Sequence, residues 1–318
     1  MIRTLQQRRA ASIAAALVCS AALLAGCATP QVASLQQRWP DALPASALIA
    51  GVPFHPQEDY HCGPAALAMA AGAAGMRLQP EQLADQVYVP GRQGSLQVEM
   101  FAAGRRHGLL PYRLQPNIET LLQEVSAGNP VIVLQNLSFS FAPVWHYAVV
   151  IGFDRNNNTL QLHSGRTEKL EMSLYTFERT WARADKWAML LLPPTRLPAS
   201  AEPDAYAASA ATLERIAPAA AKAAYATGLE RWPAHRTLWL GAGNTAYSLG
   251  HLDAAIKAYE KLTTMHPEFA DAWNNLAQAL LDKGRVNEAA AAIKQAVALG
   301  GARLPRYLDL QKQIQAKS

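Results

Sequence analysis

The last third of the chain repeats itself. Trp239 recurs as Trp273, Gly250 as Gly284 and Ala255 as Ala289, each after an interval of 34 residues. A unit that short cannot enclose a core of its own, so it must bury its apolar face against the next copy. This commits the region to stacked helical hairpins. Counting back by the same interval takes Pro267 to Pro233, Ala255 to Ala221 and Tyr259 to Tyr225. A degenerate first repeat is therefore expected over about 202–235, with Ala205 in place of the tryptophan and Ile216 in place of the glycine. The next two would cover 236–269 and 270–303, and Leu304–Ala316 would cap the last apolar face.

This is the tetratricopeptide-repeat spacing, in which small residues let paired helices approach while Trp239, Tyr259 and Ile293 fill the groove. Such repeats imply a protein or peptide partner. Pro193, Pro194, Pro198 and Pro203 mark residues 193–204 as a linker, leaving 205–318 to the repeats and their cap. Of 318 residues, half are hydrophobic, enough for a second core before that linker.

Residues 1–27 read as an export signal: a basic start ending at Arg9, an apolar stretch from Ala10 to Ala25, then small residues. The apolar run is shorter than the roughly 20 residues of a spanning helix. Leu24-Ala25-Gly26-Cys27 resembles the bacterial lipobox, which implies acylation of Cys27 and a membrane anchor. Ala28 rather than aspartate after the cysteine points to the outer membrane. The proline-bearing stretch 28–49 is expected to be a tether. Arg3, Arg8 and Arg9 supply three of the five net positive charges, so removal of the signal leaves +2, which gives nucleic-acid binding little electrostatic support.

Between tether and linker, residues 50–192 open with helical periodicity around Ala65–Met76, Glu81–Val87, Leu96–His107 and Ile118–Ala127. Strand-like runs follow at Val131–Leu134, Tyr147–Phe153, Leu160–Leu162 and Trp187–Leu192. Helices first and an antiparallel sheet afterwards make an α+β domain.

The chain has three cysteines, too few for a disulfide framework. Cys19 leaves with the signal and Cys27 is the anchor, so Cys62 is the thiol left for chemistry. In His61-Cys62-Gly63-Pro64, the proline suits the first turn of a helix, which puts Cys62 at a helix amino terminus where the dipole favours thiolate. Gln57, just upstream, is placed to donate its amide N–H to an oxyanion. His146 opens the apolar run Tyr147–Phe153 and is a rigidly held candidate for the base and acid that a thiol nucleophile requires. His61 reads as loop surface, His107 as exposed, and His235, His251 and His266 as repeat-loop residues. No paired cysteine or histidine spacing suggests zinc, and no glycine-rich phosphate loop suggests a nucleotide, so no metal or cofactor is expected.

Gln57 through Leu67, followed by His146-Tyr147 at a strand start, resembles the bacteriocin-processing, double-glycine leader group of papain-fold cysteine peptidases. The resemblance covers about 50–192 and implies a papain-like α+β fold, Cys62 as nucleophile, His146 as base and acid, and Gln57 in the oxyanion hole. The family orients its histidine with an aspartate on the next strand. Here the turn at Asp154–Asn158 folds that strand back so that Ser164, or its neighbour His163, takes the position, with Asp154 and Glu168 as other candidates. The expected function is a lipid-anchored cell-envelope cysteine peptidase. The alternatives are a papain-like domain without activity that serves in binding or assembly, and a papain-like amidase acting on peptidoglycan.

Overall fold

The structure, a computed structural model, describes residues 29–57 and 61–317. The export signal and Cys27 lie outside the described residues. No helix among the described residues is long and apolar enough to cross a membrane.

The first domain is built on a seven-stranded antiparallel sheet. Its strands are β1 (Ser46–Leu48), β4 (Leu110–Arg113), β5 (Val131–Asn136), β6 (Trp145–Asp154), β7 (Thr159–Ser164), β8 (Thr167–Ser173) and β9 (Ala188–Leu192). The order is β4-β9-β5-β6-β7-β8, and β1 pairs with the far half of β6, Ser46 opposite Asp154. A small ribbon of β2 (Tyr88–Val89) and β3 (Gly94–Ser95) stands apart from it. Side chains alternate across the sheet, so successive residues of β5 and β6 feed two separate cores. Ile132, Leu134, Tyr147 and Val149 face one side, where α2 (Cys62–Ala73), α3 (Pro80–Val87) and α4 (Gln97–Arg106) pack. Val131, Val133, Ala148 and Val150 face the other, against α5 (Ile118–Ser126) and α6 (Leu174–Ala182).

Helix α2 is Ala-rich and buried on every side from Gly63 to Ala71, as an apolar helix without a polar face must be. Its small side chains let the backbone lie close to the sheet.

Of the expected tether, the described residues 29–49 are not free chain. They hold α1 (Pro30–Gln37), whose Val32 and Leu35 are buried in the second core, and then β1. The Glu178 carboxylate fixes the helix start, accepting the Gln31 and Val32 N–H groups at 3.0 and 2.8 Å. These are two of the donors that a helix start leaves unpaired.

The proline-rich linker is likewise held. Buried Glu124 accepts hydrogen bonds from Asn129 Nδ2, Ala199 N and Ser200 N at 2.6, 3.1 and 2.7 Å. Three helical hairpins follow: α7 (Pro203–Ala211) with α8 (Pro218–Arg231), α9 (Arg236–Ser248) with α10 (Leu252–Met265), and α11 (Ala270–Asp282) with α12 (Val286–Leu299). Helix α13 (Leu304–Gln315) closes the stack. Trp239 Nε1 donates to Pro233 O at 2.8 Å, and Trp273 Nε1 donates to Pro267 O at 2.9 Å, so the sequence period recurs as a repeated bond. The Tyr259 ring lies where a Cβ on Gly243 would stand, 2.4 Å from the nearest ring atom, which is why that helix contact needs glycine. The first hairpin is not separate from the sheet: Tyr206, Leu213 and Tyr225 share a core with Leu110, Tyr112 and Leu190.

Candidate active site

Cys62 is the first residue of α2, preceded by His61 as the cap. Pro64, two residues on, spends its missing N–H in the turn that has no intrahelical acceptors. The thiol takes up the free donors: the backbone N–H groups of Cys62 and Gly63 point to it, and so does that of Tyr147 from β6. Because Tyr147 directly follows His146, thiol and imidazole belong to one corner of the molecule, although no hydrogen bond joins them among the described residues. Catalytic contacts of this kind commonly tighten only when substrate is bound.

His146 is the second residue of β6 and is half-buried. Its Nε2 meets Ser164 Oγ at 2.9 Å, leaving Nδ1 without a hydrogen-bond partner among the described residues. Ser164 ends β7, and the turn to β8 passes through Gly165 at φ +59°, a conformation that favours glycine. Gly165 O accepts the Gln57 N–H at 3.0 Å, so one tight turn fixes both the histidine's partner and the glutamine. The Gln57 side chain is buried and its amide Nε2 has no hydrogen-bond partner among the described residues. A buried unpaired donor costs free energy unless something arrives to accept it, and a developing oxyanion is such an acceptor.

The charges run against a preformed ion pair. Burial pushes the Cys62 thiol above its ordinary 9.0, outweighing the three backbone donors that pull it down. Burial also pulls His146 below its ordinary 6.5. The expectation that the helix terminus would favour thiolate is therefore corrected: in the closed corner desolvation is the larger effect. At neutral pH the resting groups are thiol and neutral imidazole.

His163 does not serve His146. It is buried on the α2 side, where its Nε2 lies 3.3 Å from Val52 O and its Nδ1 accepts the Lys169 N–H at 3.3 Å, beside the Phe54 ring. Asp154 caps its own turn by accepting the Asn156 and Asn157 N–H groups, and Glu168 is exposed. His61 is not bare loop surface, since its ring stands edge-on to Tyr88 at 5.2 Å. His107, expected to be exposed, is half-buried with its Nε2 3.1 Å from Gln86 Nε2.

Ser95 has no signal in the sequence, and neither has the part Tyr147 plays in holding it. Ser95 abuts the helix start so closely that a Cβ on Gly63 would lie 2.3 Å from its hydroxyl oxygen, and that hydroxyl is buried without a partner among the described residues. The Tyr147 hydroxyl donates to Ser95 O at 3.2 Å, tying the ribbon to the strand of His146. Gly94-Ser95 sits in a short irregular stretch with no periodicity, so no sequence signal places it. Among the described residues no group of His, Cys, Asp or Glu is arranged to hold a metal.

Comparison with known proteins covers both halves. A model of the peptidase C39-like family matches residues 49–189. One for the tetratricopeptide repeat matches 209–261 and 240–303. Among solved structures, a candidate C39-like peptidase from Bacillus anthracis aligns at 18% identity and TM-score 0.39 over 47% of this chain and 98% of its own. The Sgt2 tetratricopeptide domain from Aspergillus fumigatus aligns at 20% identity and TM-score 0.34 over 37% of this chain and 82% of its own. No curated protein matches the sequence. Residues 49–189 are a peptidase C39-like α+β domain, and tetratricopeptide repeats follow it.

Proposed function

We propose that the chain is a cysteine peptidase of the bacterial cell envelope, anchored to the outer membrane through a lipid on Cys27, whose repeats recruit a peptide or protein partner. The observation that carries this reading is the convergence of Cys62, His146 bonded to Ser164, and the buried amide of Gln57, unpaired among the described residues. In the forward step Cys62 Sγ attacks the scissile carbonyl carbon while His146 takes the thiol proton. The Gln57 amide donates to the oxyanion. Collapse breaks the C–N bond, and His146 returns the proton to the departing amine. A water that then gives its proton to His146 hydrolyses the thioester, releasing the acid and restoring the thiol.

The test is a thiol-directed reagent and a peptide library applied to the chain from Ala28 onward, with Cys62→Ala alongside. Wild type should be labelled and should cleave. Cleavage undiminished in Cys62→Ala rejects the reading. The alternative, a domain that binds without cutting, is favoured by the raised thiol and by a hydroxyl where the family places a carboxylate. It predicts no cleavage by either protein and equal capture of the same partner by both.

A further inference from the structure

Between β5 and β6 the chain makes a hairpin tip, Leu137–Trp145, without a charged residue. Leu137, Phe139, Phe141, Val144 and Trp145 are exposed by 45, 67, 86, 54 and 54%. This is not loose chain. Asn136 Oδ1 accepts the Ser138 and Val144 N–H groups at 3.0 Å each, Leu137 N donates to Val144 O at 2.9 Å, and Arg183 donates twice to Asn136 O. Phe139 and Phe141 stack on each other at 5.3 Å rather than folding inward. A rigid hairpin holding five large apolar side chains in water marks a contact surface.

The direction of the chain start says which surface. Helix α1 runs antiparallel to α6: Gln31 and Val32 meet Glu178, while Gln36 meets Tyr175. The amino-terminal end of α1 therefore lies toward the end of α6 that carries Arg183, which grips the base of the tip. Glu178 and Arg183 are five residues apart, about 7.5 Å along a helix. Cys27 and Pro30 are separated by three residue steps, at most about 11 Å of extended chain. A lipid on Cys27 would thus hold this end of the domain, rather than the opposite end, against the bilayer.

We propose that the Leu137–Trp145 tip inserts into the interfacial layer of the bilayer in which Cys27 is anchored, setting the catalytic corner to face the lipid. Apolar residues with an interfacial tryptophan and no charge are the composition such insertion requires. The orientation rests on the lipid-anchor reading above, but insertion by the tip can be measured without the lipid.

The chain from Ala28 onward, which contains every described element and carries no acyl group, is mixed with phosphatidylethanolamine–phosphatidylglycerol vesicles and co-floated. Wild type should partition, with a blue shift of tryptophan emission that Trp145→Phe removes. The double variant Phe139→Asp/Phe141→Asp should partition at least about tenfold less, with an unchanged melting temperature, since both rings are exposed. Absence of wild-type partitioning, or equal partitioning of the double variant, overturns the proposal. So does a double variant that partitions normally but loses peptide cleavage in vesicle-free solution, which would make the tip a substrate contact. The anchor is read separately, by incorporation of labelled palmitate into the full chain against Cys27→Ala, so either idea can fail alone.

Discussion

At the residue scale the catalytic corner is a neutral pair that must be charged by the reaction itself. With His146 held below 6.5, its ability to take the thiol proton persists down to pH values under 6.5. The acid limb of kcat/KM should therefore have its midpoint below 6.5. Ser164→Asp, which sets a carboxylate against the ring, should move that midpoint upward by favouring the imidazolium. Ser164→Ala should cost about tenfold in kcat, the worth of one modest hydrogen bond. Alkylation of Cys62 by iodoacetamide should keep rising with pH through 9.0, because the half-buried, desolvated thiol ionises above that value. Gln57→Ala should lower kcat about 100- to 1,000-fold with KM little changed, as loss of an oxyanion donor does.

His163 gives a different pH signature. Folding lowers its pKa below 6.5, chiefly by burial, and its Nδ1 must stay unprotonated to accept the Lys169 N–H. Its contribution to stability is complete above 6.5 and is lost as pH falls from there through the folded-state value. The melting temperature should fall on acidification below 6.5, and His163→Gln should flatten that slope. A slope that does not change would assign the acid sensitivity to other groups. Hairpin arithmetic from the turn at Asp154–Asn158 brought Ser164 and His163 into view together. Choosing between them required the strand's alternation, which sends one toward His146 and the other beneath α2. The state of Cys62 was misjudged for a related reason: a helix terminus is visible in a sequence, whereas the depth at which it lies is not.

At the element scale, what could be read was whatever carries its own apolar period. Helices α3 to α5 announce themselves this way, and α2 and the central strands by continuous apolar runs. Helix α1, with only Val32 and Leu35 to bury, does not, because the group that caps it, Glu178, is 147 residues beyond Gln31 in sequence. Strand β8, Thr167–Ser173, was missed because Glu168, Lys169 and Glu171 give it a solvent-facing composition. Glu178→Ala should remove two charge-assisted bonds and destabilise the fold by about 2–4 kcal/mol. Hydrogen exchange should then speed up at the Gln31 and Val32 amides first. Protection that survives the substitution would mean that Val32 and Leu35 hold the helix by packing alone.

At the scale of the whole molecule, the proline-rich stretch suggested a boundary that the packing does not respect. A linker was legible from composition, but a core shared across it was not, since Tyr206 and Leu213 look like ordinary helix-pair residues. Leu213→Ala, at a site with no exposed surface, should cost about 2–5 kcal/mol. It should lower one common unfolding transition seen by probes in both the sheet and the first hairpin. Two separated transitions, with only the later one moved, would show that the repeats melt independently.

The same packing bears on how the protein behaves when crowded. An antiparallel sheet is a template at its outer strands, and two copies can zip together there. In this sheet one outer strand, β4, lies under the first hairpin, where Glu202 N donates to the Tyr112 hydroxyl at 3.2 Å. The other, β8, presents Glu168, Lys169 and Glu171, a row of like and unlike charges that a second strand would have to match and dehydrate. High local concentration, which drives sheet proteins toward fibrils, thus meets a covered flank on one side and a charged one on the other.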